Sequence, residues 1–222
     1  MTNLKRQLIV AAVIVASLAA AYGSFLLFSP DGRGSDGVDV KPAAKAMPVR
    51  DGSHRLTDPE KSELTIVEFL DFECEGCGAM YPIVEKLREE YGDRVTFVAR
   101  YFPVPGHRNG ELAARTAEAA ARQGKFEEMY NKLFTTQKQW GEAQESKEAE
   151  FRGYADQLGL DMRKFDADLK APATAERVRA DQGDGLGLEV QGTPTFFLDG
   201  TKISMPGSYE AFKKLIDDRL AD

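Results

Sequence analysis

The sequence predicts an α/β domain built on a four-stranded mixed sheet with helices on its faces, interrupted by an all-helical insertion and preceded by an N-terminal transmembrane helix. Three observations predict it. A strand-like apolar run, Thr65 to Phe72, leads directly into a helical pattern; a second β-rich run, Arg94 to Phe102, follows that helix. A β-hairpin signal, Thr195 to Met205 around Asp199-Gly200, returns only after a long stretch in which every periodic segment is helical.

The elements follow in order. Lys5 and Arg6 precede an uncharged stretch from Gln7 to Phe28, which as a helix of roughly 33 Å could cross a hydrocarbon core of ~30 Å, with its positive flank inside. Ala19-Ala20-Ala21 offers the alternative of a cleaved signal peptide; either way the globular part is exported. Residues 1–28 are therefore a membrane anchor or signal peptide. Residues 29–55, with Pro30, Gly32, Gly34, Gly37, Pro42 and Pro48 among charges and no period, read as a flexible linker. Residues 56–222 suffice for one hydrophobic core.

After Cys77, Met80, Ile83, Val84 and Leu87 recur at helical spacing up to Gly92, with Pro82 inside at the cost of one hydrogen bond. A helical insertion spans about 107–189. Its faces are marked by Leu112, Ala113, Ala117, Ala120 and Ala121, by Phe126, Met129, Tyr130, Leu133 and Phe134, and by Phe151, Tyr154, Ala155 and Leu158. A fourth helix, capped by Asp161, and a fifth from about Ala173 to Leu186 complete it; Trp140 lies in a polar stretch with no legible role. Ser208 caps a last amphipathic helix carrying Phe212, Leu215, Ile216 and Leu220.

The only two cysteines are Cys74 and Cys77, separated by Glu75 and Gly76, where the first strand hands over to its helix. Unpaired N–H groups and the positive dipole end at a helix start stabilise an anion, so Cys74 is expected to be an acidic, exposed thiol and Cys77 its covered resolving partner. A two-residue loop makes a poor structural staple. A zinc site needs about four N or S ligands, and His54 and His107 fall in the linker and a loop, so neither a metal nor any other cofactor is expected. A net charge of −7 argues against nucleic acid as a partner.

These residues carry a family resemblance. Val67 to Cys74, Arg100-Tyr101-Phe102-Pro103, Gly124-Lys125-Phe126 and Val190-Gln191-Gly192-Thr193-Pro194-Thr195-Phe196-Phe197 resemble the DsbA-like thiol:disulfide oxidoreductases, exported bacterial proteins of thioredoxin fold with an inserted helical domain. The resemblance covers about 62–218. It implies that Pro194 is a cis-proline opposite the dithiol, with Thr193 offering backbone to a client segment. It also implies that Glu68 is the buried acid exchanging a proton with Cys77; a salt-bridged structural acid is the alternative. Strong oxidases of the family often place Pro and His between the cysteines. Glu75 and Gly76 stand there instead, removing a stabiliser of the thiolate and adding an anion.

The expected activity is that of a membrane-tethered dithiol oxidase forming disulfides in secreted or cell-envelope proteins. Its implied partners are cysteine-containing clients, a membrane re-oxidase of the DsbB-like or vitamin K epoxide reductase-like kind, and the lipid bilayer through the N-terminal helix. A reductase or isomerase, or a non-enzymatic chaperone-like module, is the alternative.

Overall fold

The computed structural model describes residues 40–221. The N-terminal anchor or signal, and the linker up to residue 39, lie outside them; among the described residues no helix is long and apolar enough to cross a membrane.

The chain runs β1 (His54–Arg55), β2 (Leu64–Leu70), α1 (Glu75–Tyr91), β3 (Val95–Tyr101), then α2 (Gly110–Ala121), α3 (Phe126–Trp140), α4 (Glu148–Gln157), α5 (Met162–Lys170) and α6 (Pro172–Gly187). It ends in β4 (Thr195–Leu198), β5 (Thr201–Lys202) and α7 (Tyr209–Leu220). The sheet order is β1-β3-β2-β4-β5, with β2 and β3 parallel and the other pairs antiparallel. The expected four-stranded sheet thus gains a fifth, edge strand. Two residues at His54 carry no alternation by which a strand could be recognised.

Side-chain alternation divides β2 between two cores. Leu64, Ile66 and Leu70 join the larger core with α1, α7 and the helical block, whereas Val67 and Phe69 pack with Val98, Phe102, Val190 and Phe197 on the other face. Glu68 shares the parity, and so the face, of Ile66 and Leu70.

The linker expectation for 29–55 is corrected over its described part. Residues 40–55 form a strap docked on the domain: Val49 packs on the second core, and Arg50 pairs with Asp184 while its Nη2 donates to that carboxylate at 2.6 Å. Buried Arg100 donates to the carbonyls of Met47 and Pro48 and to Asp181 and Asp184, both at 2.6 Å. The strap is held by single anchors and backbone carbonyls rather than by a periodic face, which is why its composition resembles a free tether.

The helices of the insertion fall where their periodicity places them. Asp161 accepts from the N–H groups of Arg163 and Lys164, and Ser208 from that of Ala211, as capping predicts. The Asp199-Gly200 turn has φ of 44° and 78°, the left-handed pair that a two-residue hairpin loop requires. Trp140 is fully buried, edge-on to Phe151 at 4.8 Å, with its indole N–H donating to the Leu133 carbonyl.

Candidate active site

The strand end and the helix start create the site. Cys74 is the N-cap of α1, in extended conformation, and Cys77 lies in the first turn. Cys74 is half-buried; Cys77 is fully buried, and both are free thiols. The Asp71 backbone N–H donates to Cys77 Sγ at 3.5 Å. Across the dithiol, the bond Thr193-Pro194 is cis, as the resemblance implied, and the Thr193 carbonyl accepts the Cys74 S–H at 3.2 Å. The Thr193 hydroxyl is buried with no hydrogen-bond partner, so it is free to donate to the sulfur once Cys74 ionises.

The two sulfurs are driven apart in acidity. The Cys77 thiol, donating to Cys74, holds Cys74 down to about 5; the Thr193 side chain and the N–H groups of Cys77 and Gly76 add to this, and burial opposes it. Burial pushes Cys77 well above its ordinary range, with Cys74 and Glu68 adding to the rise. The acidity expected of a helix-start cysteine therefore stands without a histidine between the cysteines. Glu75 is exposed and is not among the leading influences on Cys74. Gly76 has a steric reason: a Cβ there would stand 3.2 Å from Pro194 Cδ and 3.5 Å from Cys74 Sγ, crowding the face that a client must reach.

Glu68 lies beneath α1, 5% exposed, between Ala99 of β3 and Phe196 of β4. Burial pushes its carboxyl up to about 8, with Glu85 and Cys74 adding to the rise. No ion pair holds it among the described residues, so the salt-bridged alternative has no partner. Of the residues singled out in the sequence, Cys74, Cys77, Gly76, Thr193 and Pro194 meet at one face and Glu68 sits behind them; Glu75 alone stands out in solvent.

Three contributors escaped the sequence. Gln137 of α3 is buried and donates from Nε2 to the carbonyls of Phe72 and Cys74 at 2.7 and 2.8 Å, tying the helical block to the dithiol loop. Gly78 makes room for it, since a Cβ there would fall 2.0 Å from Gln137 Oε1. The signal was available: Gln137 continues the apolar stripe of Tyr130, Leu133 and Trp140 as a lone polar residue. Asp71, fully buried, accepts from the N–H groups of Glu73 and Val104 and pairs with His107 Nδ1 at 2.6 Å. That hydrogen bond raises His107 to about 9. His107 does lie in a loop, as its position suggests, but the loop is folded onto the site.

Fold and site together define a dithiol protein of thioredoxin-like architecture. A family model described as thioredoxin matches residues 55–218. The chain belongs to the thioredoxin family. Among solved structures, it is similar to a thioredoxin-like oxidoreductase from Silicibacter pomeroyi, at 25% identity and TM-score 0.66, over 78% of this chain and 95% of that one. It has the fold of BdbD from Bacillus subtilis, at 21% identity and TM-score 0.68, over 82% and 100% of the two chains. It likewise has that of Wolbachia pipientis alpha-DsbA1, at 18% identity and TM-score 0.69, over 78% and 93%. The resemblance to DsbA-like proteins is thereby borne out in the fold. A curated relative, a Na(+)/H(+) antiporter NhaA from Herminiimonas arsenicoxydans, is 35% identical over 95% of this chain, which spans 32% of the antiporter's length. The likeness is to about a third of that longer protein, and cation exchange is not carried over from it.

Proposed function

We propose that the protein is an extracytoplasmic thiol:disulfide oxidoreductase that forms disulfide bonds in secreted or envelope proteins. The observation that carries this is the placement of Cys74 at a helix start against the Thr193 carbonyl and Pro194, with its partner Cys77 sealed beneath it. A client thiolate attacks Cys74 Sγ of the Cys74–Cys77 disulfide; the S–S bond breaks, and Cys77 leaves with the electron pair and takes a proton from Glu68. A second client thiolate then attacks the client sulfur of the mixed disulfide and Cys74 leaves as a thiolate. The client is oxidised and the dithiol reduced.

The acidity of Cys74 supports the oxidising direction, since a stable thiolate leaves readily and favours the reduced form. A client segment would pair with the backbone beside Thr193 as an added strand. Turnover requires an electron acceptor, for which a membrane re-oxidase of the DsbB-like or vitamin K epoxide reductase-like kind is suited, and tethering through residues 1–28 would hold the domain near it.

Equilibration of the dithiol with glutathione buffers tests the direction. We expect a potential at or above about −180 mV, the range of disulfide-forming and isomerising proteins. A value below about −230 mV would replace this conclusion with a reductase.

A further inference from the structure

Two acids just ahead of Cys74, Asp71 and Glu73, are buried, and the dithiol chemistry uses neither. A buried carboxylate is costly and is weak evidence for stability even when paired, so its partners show what it holds. Both acids hold the loop from Pro103 to Asn109 that leads from β3 into the helical block. Glu73 accepts from the Asn109 N–H at 2.6 Å; Asp71 accepts from the Val104 N–H at 2.9 Å and from His107 Nδ1 at 2.6 Å. The loop is shaped to deliver His107 there. Gly106 has φ of 101°, which a side chain disfavours, and the His107 N–H closes the turn on the Val104 carbonyl at 3.3 Å. Its ends are fixed as well: Gln182 of α6 donates to the Pro103 carbonyl at 2.7 Å, and the Asn109 side chain donates to the carbonyls of Ala143 and Glu145. Gly110 lets α2 begin against the carboxylate, since a Cβ there would stand 2.8 Å from Asp71 Oδ1.

The backbone of Asp71 meets both cysteines. Its carbonyl accepts the Cys74 N–H at 3.1 Å, and its N–H donates to Cys77 Sγ at 3.5 Å. Burial, Cys74 and Glu68 all oppose a charge on Cys77, and among the leading influences only the Asp71 N–H favours one. A donor lowers the barrier to a developing charge when its direction is set beforehand. The direction of this N–H is set by its own side chain, which is pinned by the Glu73 N–H at 2.9 Å, by the Val104 N–H and by His107. Of these three donors His107 is the only side chain, and its bond to a carboxylate is the charge-assisted one.

Resting on the oxidoreductase function proposed above, we propose that His107 is a positioning residue for the leaving sulfur: through the Asp71 carboxylate it holds the Asp71 backbone N–H on Cys77 Sγ. When a client thiolate attacks Cys74 Sγ, the Cys74–Cys77 bond breaks and Cys77 departs with the electron pair into this preset hydrogen bond. In the reverse step the Cys77 thiolate attacks Cys74 Sγ of the mixed disulfide, and the client thiolate leaves with the electron pair. Both directions pass through the same transition state, so the clamp alters rates and leaves the equilibrium in place. The charged groups facing His107 are Asp71 and Glu73 from the β2–α1 junction and Cys74 from the start of α1. A direct effect of its positive charge on the Cys74 thiolate is the rival reading, and the two differ in what they do to the equilibrium.

The test is stopped-flow exchange between the protein and a dithiol peptide, followed in both directions at neutral pH for wild type, His107→Ala and His107→Asn. The Asn side chain offers an amide N–H where His107 offers Nδ1–H, and it carries no charge. The His107 side chain is partly exposed, so neither substitution opens a cavity in the core. His107→Ala is expected to slow both directions about threefold to tenfold while the equilibrium constant changes less than about twofold. His107→Asn is expected to restore most of the lost rate, and the midpoint of Cys74 alkylation should match wild type in both variants. Slowing in His107→Asn as large as in His107→Ala, or a raised Cys74 midpoint with a shifted equilibrium in both, would assign the effect to charge and overturn the proposal. Wild-type rates in His107→Ala would overturn it too, leaving the loop a structural tie and the function intact. Failure of wild type itself to oxidise the peptide would instead overturn the function.

Discussion

Glu68→Gln should make the reduced protein more stable, by an amount that grows with pH. The Glu68 carboxyl rises from 4.5 to about 8 on folding, chiefly by burial. Because the folded value lies above the unfolded one, the unfolded chain releases this proton first. Stability is therefore undiminished below about 4.5, falls as pH rises from there, and levels off above about 8. At about 1.4 kcal/mol per pH unit the full effect is about 5 kcal/mol, of which about 3 kcal/mol has developed by pH 7. Gln keeps the shape and polarity of the side chain and has no proton to lose. Other groups titrate in this range: His107, raised to about 9, contributes stability that is present below about 6.5 and lost as pH rises through 9. The difference between variant and wild type cancels that contribution. Urea unfolding of both reduced proteins at pH 5, 6, 7 and 8 measures it, and the variant's advantage should widen by about 3 to 4 kcal/mol across the series. Parallel stability curves would show that the carboxyl is not desolvated and would remove the basis for its role as a proton donor at neutral pH.

Four other outcomes are expected. Brief alkylation of the reduced protein, mapped by mass, should label Cys74 with a rate half-maximal near pH 5 and leave Cys77 unmodified; dominant labelling of Cys77 would reverse the roles. Thr193→Val should move that midpoint up by about one pH unit or less without changing thermal stability, because the hydroxyl has no other partner; an unmoved midpoint would assign the thiolate's stabilisation to Cys77 and the helix start alone. Gln137→Ala leaves the carbonyls of Phe72 and Cys74 without their donor and should cost about 1–3 kcal/mol in urea unfolding, a loss that equal stability would refute. Glu75→His should raise the reduction potential by about 30 mV or less, since the position is exposed and screened; an unchanged potential would confine redox tuning to the buried side of Cys74.

The parts of the site legible in the sequence are those whose chemistry is local. A dithiol at a strand-to-helix junction, a Thr-Pro before a hairpin and an acid in an apolar strand each stand out from their own neighbours, so Cys74, Cys77, Thr193, Pro194 and Glu68 could be named. Gln137 and His107 act through tertiary contacts to Cys74 and Asp71, and nothing beside them in the chain marks the distant group they meet. The helices of the insertion were legible from periodicity, whereas the strap was not: Val49 and Arg50 reach Phe69's core and Asp184 as isolated anchors in a segment whose prolines and glycines resemble a tether. The edge strand failed for the same reason, since His54 earns its place by pairing with Ala99 and stacking on Phe126 rather than by any alternation.

The helical block separates the two halves of the dithiol's surroundings in time as well as along the chain. During synthesis Cys74 and Cys77 appear first, then α2 to α6, and only afterwards Thr193. A nascent chain that has made the dithiol but not yet the Val190 to Thr195 segment holds a cysteine pair lacking the Thr193 carbonyl that meets Cys74, and until α3 docks it also lacks the grip of Gln137. Such a pair has only Cys77 and its helix start to raise the acidity of Cys74. The full set of contacts around the thiolate is thus a property of the completed domain, because the last of them arrives with Thr193.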